Sequence, residues 1–506
     1  GKACDDKDAC TDKDVCGAAG TSKVYTGAAP KGFGVCQGGK VTCDDGNPCT
    51  ADSCDKGKGC QTAAVKDETL CAKDGSKWCK SAKCVIKAAC PTQCAGPGTD
   101  LSAKALGKVV APDGAGGDRF GFAVSVSGQR GIVGAPYDDV KGSDSGSAWI
   151  LEAKADGTWQ SKAKLVPKDG KGGHRFGSSV SISGDYALVG AFLDGHKGAN
   201  TGSAYVFERQ GDGSWTQQAK LVALDAAASD FFGIAVSISG KRALVAAYAD
   251  DDKGKDSGSA YIFERQGDGT WTQQAKLVAA DGAASDNFGR GASISGDRAL
   301  VGSYGDDDKG QASGSAYVFA RQADGTWKQQ AKLKASDAAG NDQFGTEVSI
   351  DGGRAIVGSH ESSPKGKSSG SAYIFEQQAD GSWKQQAKLV ATDGAAGDWL
   401  GYAVSISGDH AVAGAMRHDA QGGDSGAVYV FHRDPKGAWT QQSKLLAKGG
   451  AQGDLFGRGA AISGGAVLVG VVNDDDKGAE SGSSQVFHVG PSCTAKGACV
   501  CKPGYI

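Results

Sequence analysis

Residues 288–333 read FGRGASISGDRALVGSYGDDDKGQASGSAYVFARQADGTWKQQAKL, and the architecture of the whole chain follows from this pattern. Apolar and polar residues alternate in short runs, and each run ends at a glycine-containing turn or a polar loop. Such runs are typical of β-strands joined by hairpins, and apolar residues do not recur at helical spacing. The stretch therefore predicts four short strands, at 292–295, 298–303, 315–320 and 327–333.

The same pattern returns every 56 residues, in seven copies. Such a long, fixed period indicates a solenoid, a propeller or another array. An open solenoid needs distinct capping repeats, whereas these copies stay uniform to the end. Seven four-stranded units predict an all-β fold, a seven-bladed β-propeller. Its recurring structural positions are Phe120, Gly121, Phe176, Gly177, Phe232, Gly233, Phe288, Gly289, Phe344, Gly345, Gly401, Phe456 and Gly457.

The seventh copy ends after its third strand and lacks the tryptophan strand of the other six. Lys-Val-Val at 108–110 stands one period before Lys-Leu-Val at 164–166. We therefore expect residues 101–110 to complete the last blade, because a closed ring leaves no exposed sheet edge. The predicted domains are a Cys-rich region at 1–96, the propeller at 101–490 and a short tail at 491–506.

The 16 cysteines lie only at the two ends of the chain. Thirteen lie between Cys4 and Cys94, and three between Cys493 and Cys501. Clustered cysteines of this kind predict a disulfide framework made in an oxidising compartment, so we expect a secreted or cell-surface protein. Zinc is disfavoured because no Cys-x2-Cys pair occurs. Both clusters are odd in number, and ring closure brings their ends together, which predicts a bridge from Cys94 to Cys493.

Composition excludes two classes of partner. The net charge is −3, so no global basic field favours a nucleic acid. No apolar run approaches 18 residues, so we expect no transmembrane helix.

Phe120-Gly121 followed by Gly134-Ala135-Pro136 resembles the FG-GAP signature of bacterial repeat proteins and, more distantly, of the integrin α-subunit propeller. The resemblance covers the seven repeats and implies the same seven-bladed fold. Integrin propellers bind calcium in loops between the first and second strands. Here two-residue turns such as 296–297 stand at that place and offer too few oxygens for calcium, so those metal sites do not carry over.

The cysteine-rich start carries a second resemblance. Residues 43–54 read CDDGNPCTADSC, which is similar to the Cys-Thr-x-Asp-x-Cys repeats of slime-mould and myxobacterial surface proteins. This resemblance implies an extracellular setting without an enzymatic role.

Acidic residues gather in the loops between the second and third strands. Calcium is the one cofactor that they suggest, because carboxylate oxygens are its preferred ligands. The alternative is ordinary loop chemistry, in which Asp and Gly form solvated turns. The candidate calcium ligands are Asp250, Asp252, Asp256, Asp306, Asp308, Asp474, Asp476 and Glu480.

No catalytic constellation recurs among the repeats. None of the seven histidines occupies a shared repeat position, and no nucleophile elbow is present. Uniform repeats favour binding, so we expect a non-enzymatic adhesion or matrix protein that recognises an extracellular protein or glycan. The expected binding surface is the acidic loop face of the propeller or the mouth of its channel. Two alternatives remain open. One is a fibre subunit that associates with itself, and the other is an enzyme that uses non-repeated residues such as Arg417 and His418.

Overall fold

The structure is a computed structural model, and it describes residues 50–55, 59–64, 77–80, 83–86 and 103–490. These residues belong to two compact units. The four short segments belong to one unit and residues 103–490 to the other. Throughout the described ranges the regular structure consists of β-strands, and no helix that could span a membrane occurs there.

The smaller unit contributes two short antiparallel hairpins. One pairs β1 (Thr50–Asp55) with β2 (Gly59–Ala64), and the other pairs β3 (Lys77–Lys80) with β4 (Lys83–Ile86). Cys94 and Cys493 lie outside the described residues, so their bridge stays a prediction, as do the domain boundaries and the resemblance at 43–54.

The larger unit consists of seven four-stranded antiparallel sheets, as the repeat predicts. Blades one to three contain β6 (Val124–Ser127), β7 (Arg130–Ala135), β8 (Ser147–Ala153), β9 (Trp159–Leu165); β10 (Ser179–Ser183), β11 (Tyr186–Ala191), β12 (Ser203–Arg209), β13 (Trp215–Leu221); β14 (Ala235–Ser239), β15 (Arg242–Ala247), β16 (Ser259–Arg265) and β17 (Trp271–Leu277). Blades four to six contain β18 (Phe288–Ser295), β19 (Arg298–Ser303), β20 (Ser315–Arg321), β21 (Trp327–Leu333); β22 (Val348–Asp351), β23 (Arg354–Ser359), β24 (Ser371–Gln377), β25 (Trp383–Leu389); β26 (Leu400–Ser407), β27 (His410–Ala415), β28 (Ala427–Arg433) and β29 (Trp439–Leu445).

The seventh blade is built from both ends of the repeat region. Its first three strands are β30 (Phe456–Ser463), β31 (Ala466–Val471) and β32 (Ser483–His488), and its outer strand is β5 (Lys104–Val109). In the β5–β32 ladder, Val109 pairs with Ser484 and Lys104 with His488. The predicted closure by the N-terminal strand is therefore confirmed.

The hydrophobic core lies between neighbouring blades. In one cluster, Leu244 and Ile262 of blade three pack with Phe288 and Tyr317 of blade four, and all four side chains are fully buried. Phe288 meets Tyr317 edge to face at a centroid distance of 5.6 Å. Because each sheet buries apolar residues on both faces, the blades stabilise one another as a closed ring.

The glycines of the repeat allow close backbone contact between blades. A Cβ atom at Gly302 would overlap the carbonyl oxygen of Gly345 in the next blade. Gly345 itself has φ +97°, a conformation that favours glycine. These two glycines therefore set how closely blades four and five approach.

The inner strands contact one another in sequence and return from β30 to β6, so they surround the axis of the ring. The first-to-second-strand connections are two-residue turns on one face, while the longer second-to-third-strand loops lie on the opposite face, together with the connections between blades. The functional features described below lie on this second face, which we call the loop face.

Candidate functional site

The loop face carries a repeated ion cluster that we call the lysine clamp, consisting of an outer-strand lysine and the loop aspartates around it. In blade four, Lys332 Nζ lies 2.8 Å from Asp281, 2.7 Å from Asp306 and 2.7 Å from Asp308. Asp281 belongs to the connection that enters the blade, and Asp306 and Asp308 belong to the loop after β19. The clamp therefore ties two loops to the outer strand. All seven blades have the lysine, at Lys108, Lys164, Lys220, Lys276, Lys332, Lys388 and Lys444.

The central aspartate of the clamp is buried. Asp250 is 4% exposed; it accepts hydrogen bonds from the Ser259 hydroxyl and the Tyr261 phenol, and it lies 3.1 Å from Lys276 Nζ. A carboxylate removed from water in this way requires charge and hydrogen-bond partners. The interpretation of these loops as solvated turns is therefore wrong for Asp250 and for its buried counterparts in blades one, two, four and seven, which are Asp138, Asp194, Asp306 and Asp474.

The clamp shifts the pKa values of its members. Burial lowers the pKa of Lys332, but hydrogen bonds to Asp281, Asp306 and Asp308, together with the charge of Asp306, outweigh burial and raise it. Burial raises the pKa of Asp281, but its hydrogen bond to Lys332 contributes to a net lowering. Both shifts favour the charged forms, so the clamp is an ion cluster at neutral pH.

The candidate calcium ligands divide between two places. Asp250 and Asp252 meet Asp225 with ligand atoms within 4.8 Å of one another, and Lys276 contacts all three. The cluster around Asp306 and Asp308 holds Lys332 in the same way, and Asp474 and Asp476 lie 2.5 Å and 2.6 Å from Lys108. Glu480 instead pairs with Arg119 at 2.6 Å. Asp256 is no member of the Asp250 cluster, but its backbone oxygen accepts a bond from Asn287.

In each of these clusters an ammonium group lies among the carboxylates, where a calcium ion would have to bind. A cation bound by the same oxygens would first have to displace the lysine, which is a like charge. Calcium binding remains a prediction, and melting experiments described in the Discussion test it.

Two blades depart from the clamp pattern. Ser362 and His418 replace the central aspartate in blades five and six, and His418 Nε2 lies 3.1 Å from Lys444 Nζ. Arg417, the other residue considered for catalysis, instead stacks over the Trp399 ring at 3.8 Å. The structure thus assigns these two neighbours to different environments.

Blade two has a cleft of about 160 Å³, lined by His174, His196, Asp169, Asp194, Lys171, Lys220 and Gly195.

The repeats diverge at a few positions that flank the inner strands. The residue type at the repeat position of Arg290 differs in almost every copy, whereas the clamp lysine is present in all seven. The aligned residues are Phe122, Ser178, Ile234, Arg290, Thr346, Tyr402 and Arg458. The position just before the aromatic-glycine pair varies as widely, with Arg119, Arg175, Phe231, Asn287, Gln343, Trp399 and Leu455. A third variable position follows the second strand, with Pro136, Phe192, Tyr248, Tyr304, His360, Met416 and Val472.

These variable side chains meet around the axis on the loop face, and we call this region the variable mouth. It comprises the residues at the three divergent positions together with Tyr137, Glu347 and Arg417. The Arg458 guanidinium of blade seven lies 3.3 Å from the Phe122 ring centroid in blade one and 6.0 Å from that of Tyr402 in blade six. Trp399 and Tyr402 stack at 6.0 Å with an interplanar angle of 9°.

Aromatic contacts continue around the mouth. Phe231 stacks on Tyr248 at 5.6 Å and contacts Phe192 at 6.1 Å. In the adjoining blades one and two, the guanidinium groups of Arg119 and Arg175 lie 4.9 Å and 4.7 Å from the Tyr137 ring centroid. Cation–π contacts of this kind orient the two arginines, which also pair with Glu480 and Asp144.

Charged and polar groups are enclosed within the same mouth. Glu347 stands where the other copies have Ala, Gly or Ser; burial raises its pKa to about 7, while Arg290 and Arg458 oppose that rise. Burial lowers the pKa of His360 to about 4, and His360 Nδ1 has no hydrogen-bond partner among residues 103–490. Burying a polar side chain without a partner lowers the stability of the protein. Such side chains are common in sites that a ligand completes.

The sequence indicated the acidic loop face or the channel mouth as the binding surface, but it did not identify the residues of the variable mouth. The signal was available, because aligning the seven copies shows which positions differ. The positions that recur in every copy pointed to the loop aspartates, which the structure shows paired with lysine. Only the closed ring shows that the divergent positions lie together.

The blades, the clamp and the mouth define a seven-bladed β-propeller built from equal repeats. The family model for the FG-GAP repeat matches residues 105–151, 159–207, 215–263, 271–319, 327–375, 383–431 and 439–487. These seven matches cover more than half of the chain, which therefore belongs to the FG-GAP repeat family. A search of curated proteins found no significant match.

Proposed function

We propose that this protein is a non-enzymatic binding protein, secreted or held at the cell surface, and that its ligand binds at the variable mouth. One observation carries the proposal. The seven repeats keep the residues that build the blades and the clamp lysine, but they diverge at positions that meet at one end of the axis. In repeat proteins, variation on one face over a constant framework is typical of a binding surface.

The chemistry of the mouth suits recognition. Its aromatic rings offer large contact areas at low entropic cost, as Trp399 and Tyr402 do with their half-buried stacked faces. Its arginines remain protonated at neutral pH, so they bind and orient a ligand and do not transfer protons. An extracellular protein or glycan is the class of partner that we expect, in adhesion or matrix contact.

The lysine clamp is the less suitable surface for a ligand. In blades one to four its buried aspartate already pairs with lysine, so its charges are satisfied within the protein. We assign the clamps to shaping the loop face, where they fix the loops that surround the mouth.

Binding of the full chain to a glycan array and to a peptide array tests this proposal. Trp399→Ala and Arg417→Ala remove contacts at the mouth. Arg354→Ala is the matched control, because Arg354 bonds to Asp409 at the first-to-second-strand turn on the opposite face. We expect the two mouth variants to lose binding by tenfold or more, on the order of 1.4 kcal/mol, and the control to keep it. Equal loss in all three, or loss only in Arg354→Ala, would place the ligand surface elsewhere.

A further inference from the structure

We propose that the variable mouth recognises the free carboxyl terminus of a polypeptide, whose carboxylate is bound by Arg290 and Arg458. This inference rests on the proposed function and names the ligand class of the same site.

The first observation is a shortage of counter-ions. Nine of the 13 arginines pair with a carboxylate within 4.0 Å. Three of the four others, which are Arg290, Arg417 and Arg458, lie in the mouth. Arg458 donates to the Phe122 carbonyl oxygen, and the guanidinium group of Arg290 has no hydrogen-bond or ion-pair partner among residues 103–490. Arg290 and Arg458 are half-buried, and guanidinium groups so placed without a carboxylate form a site for an anion.

Glu347 does not supply the missing charge. It is the carboxylate that influences Arg458, yet it forms no ion pair within 4.0 Å in the described part of the chain. Its enclosed position raises its pKa to about 7, so a large share of the molecules carry a protonated Glu347 at neutral pH. A protonated Glu347 donates a hydrogen bond, so it can assist the two arginines in binding a carboxylate.

The surroundings select a single carboxylate over a polyanion. Asp144, Asp256, Asp424 and Glu480 share one repeat position in the loops bordering the mouth, and beyond them lie the clamp aspartates. A chain with many negative charges, such as an acidic polysaccharide, would meet repulsion at this border. A peptide terminus brings one negative charge inward and presents a neutral or basic chain to the acidic loops.

The aromatic side chains around the arginine pair indicate which last residue of the ligand fits the mouth. Phe122, Tyr304 and Tyr402 are half-buried and surround the arginine pair from three blades. His360 Nδ1, buried and unpaired, adds one hydrogen-bonding group. An aromatic or aliphatic last residue fits these walls, while its carboxylate reaches the guanidinium groups.

The test uses the full chain and two pools of fluorescent seven-residue peptides with random sequences. One pool ends in a free carboxylate and the other in an amide, and binding is followed by fluorescence anisotropy. We expect the carboxylate pool to bind and the amide pool to bind at least about thirtyfold more weakly. Arg290→Gln and Arg458→Gln should abolish this preference. Arg458→Lys should keep part of it, because charge remains while the paired N–H geometry is lost.

Arg321→Gln is the matched control, because Arg321 lies away from the loop face and pairs with Glu264. Thermal melting of each variant distinguishes a lost contact from a lost fold. Equal binding of both pools, binding of neither, or a preference unaffected by the two Gln variants would overturn the inference. Stronger binding of polygalacturonate would overturn it in favour of an acidic saccharide. Binding that Trp399→Ala removes but that does not depend on the carboxylate would leave the proposed function intact and overturn only the inference.

Discussion

The hydroxyl oxygen of Ser463 accepts a hydrogen bond from the backbone N–H of Gly128 at 3.2 Å and so joins the last blade to the first. The same bond links each neighbouring pair of inner strands, with Asp351 in place of serine in one blade. A second set of serine bonds runs parallel to it, from Ile182–Ser125 to Ile462–Ser405, and has six members. The missing member falls at the closing junction, where Ala461 stands at the serine position.

Ala461→Ser should therefore stabilise the ring. The new hydroxyl would face the backbone N–H of Val126, as Ser405 faces that of Ile462, and would add about 1 kcal/mol to the free energy of unfolding. Differential scanning calorimetry measures the change. Ser405→Ala is the matched variant and should destabilise the protein by a similar amount. A lower melting temperature for Ala461→Ser would show that the closing junction has a different geometry from the other six.

Lys332→Met should destabilise the protein strongly. The substitution leaves Asp306, which is 3% exposed, without its cationic partner, although its hydrogen bond from Tyr317 remains. Breaking a buried ion pair costs about 3–5 kcal/mol, and the partial exposure of Lys332 reduces this to about 2–4 kcal/mol. Lys328→Met, on the exposed face of the same strand, should change stability little. Equal effects of the two substitutions would show that the clamp contributes no stability.

Calcium should have little effect on the melting temperature of the wild-type protein, because a lysine ammonium group already occupies the centre of each carboxylate cluster. In Lys332→Met the carboxylates of Asp281, Asp306 and Asp308 are released, and calcium should then raise the melting temperature. Thermal melts in millimolar calcium and in chelator test both statements. A rise of several degrees in the wild-type protein would support the calcium hypothesis instead and would require the lysines to move aside.

Glu347→Gln should stabilise the protein at alkaline pH and have little effect at acidic pH. The pKa of Glu347 is raised from 4.5 to about 7 in the folded state, so the folded protein holds this proton more tightly than the unfolded chain. Wild-type stability is therefore lost as pH rises between these two values, whereas glutamine does not ionise. The difference in unfolding free energy should reach roughly 2–3 kcal/mol by pH 8.

Chemical denaturation at pH 5, 6, 7 and 8 measures this difference. Gln343→Asn, at another position of the mouth, changes no ionisable group, so it serves as the control and should show a difference that is independent of pH. A difference between Glu347→Gln and wild type that stays constant from pH 5 to 8 would contradict the raised pKa.

Much of the fold was predictable because it depends on local patterns that recur. The two-residue turn at Gly296, the alternating apolar residues and the fixed period together predict seven sheets. The absence of a seventh tryptophan strand indicated the closing strand, and β5 pairs with β32 as expected. The mouth was not predictable in this way, because Arg458, Phe122 and Tyr402 share a repeat position but no residue type, and only the closed ring brings them together.

The sequence by itself determined the number of blades, the strand order and the way the ring closes, because backbone hydrogen bonding and apolar alternation act within each 56-residue unit. Only the tertiary structure decided what the charged residues do. Whether Asp306 is solvated, binds a metal or pairs with Lys332 depends on distances between loops and strands that local patterns do not encode. Likewise, the enclosure that raises the pKa of Glu347 arises only when seven blades surround one axis.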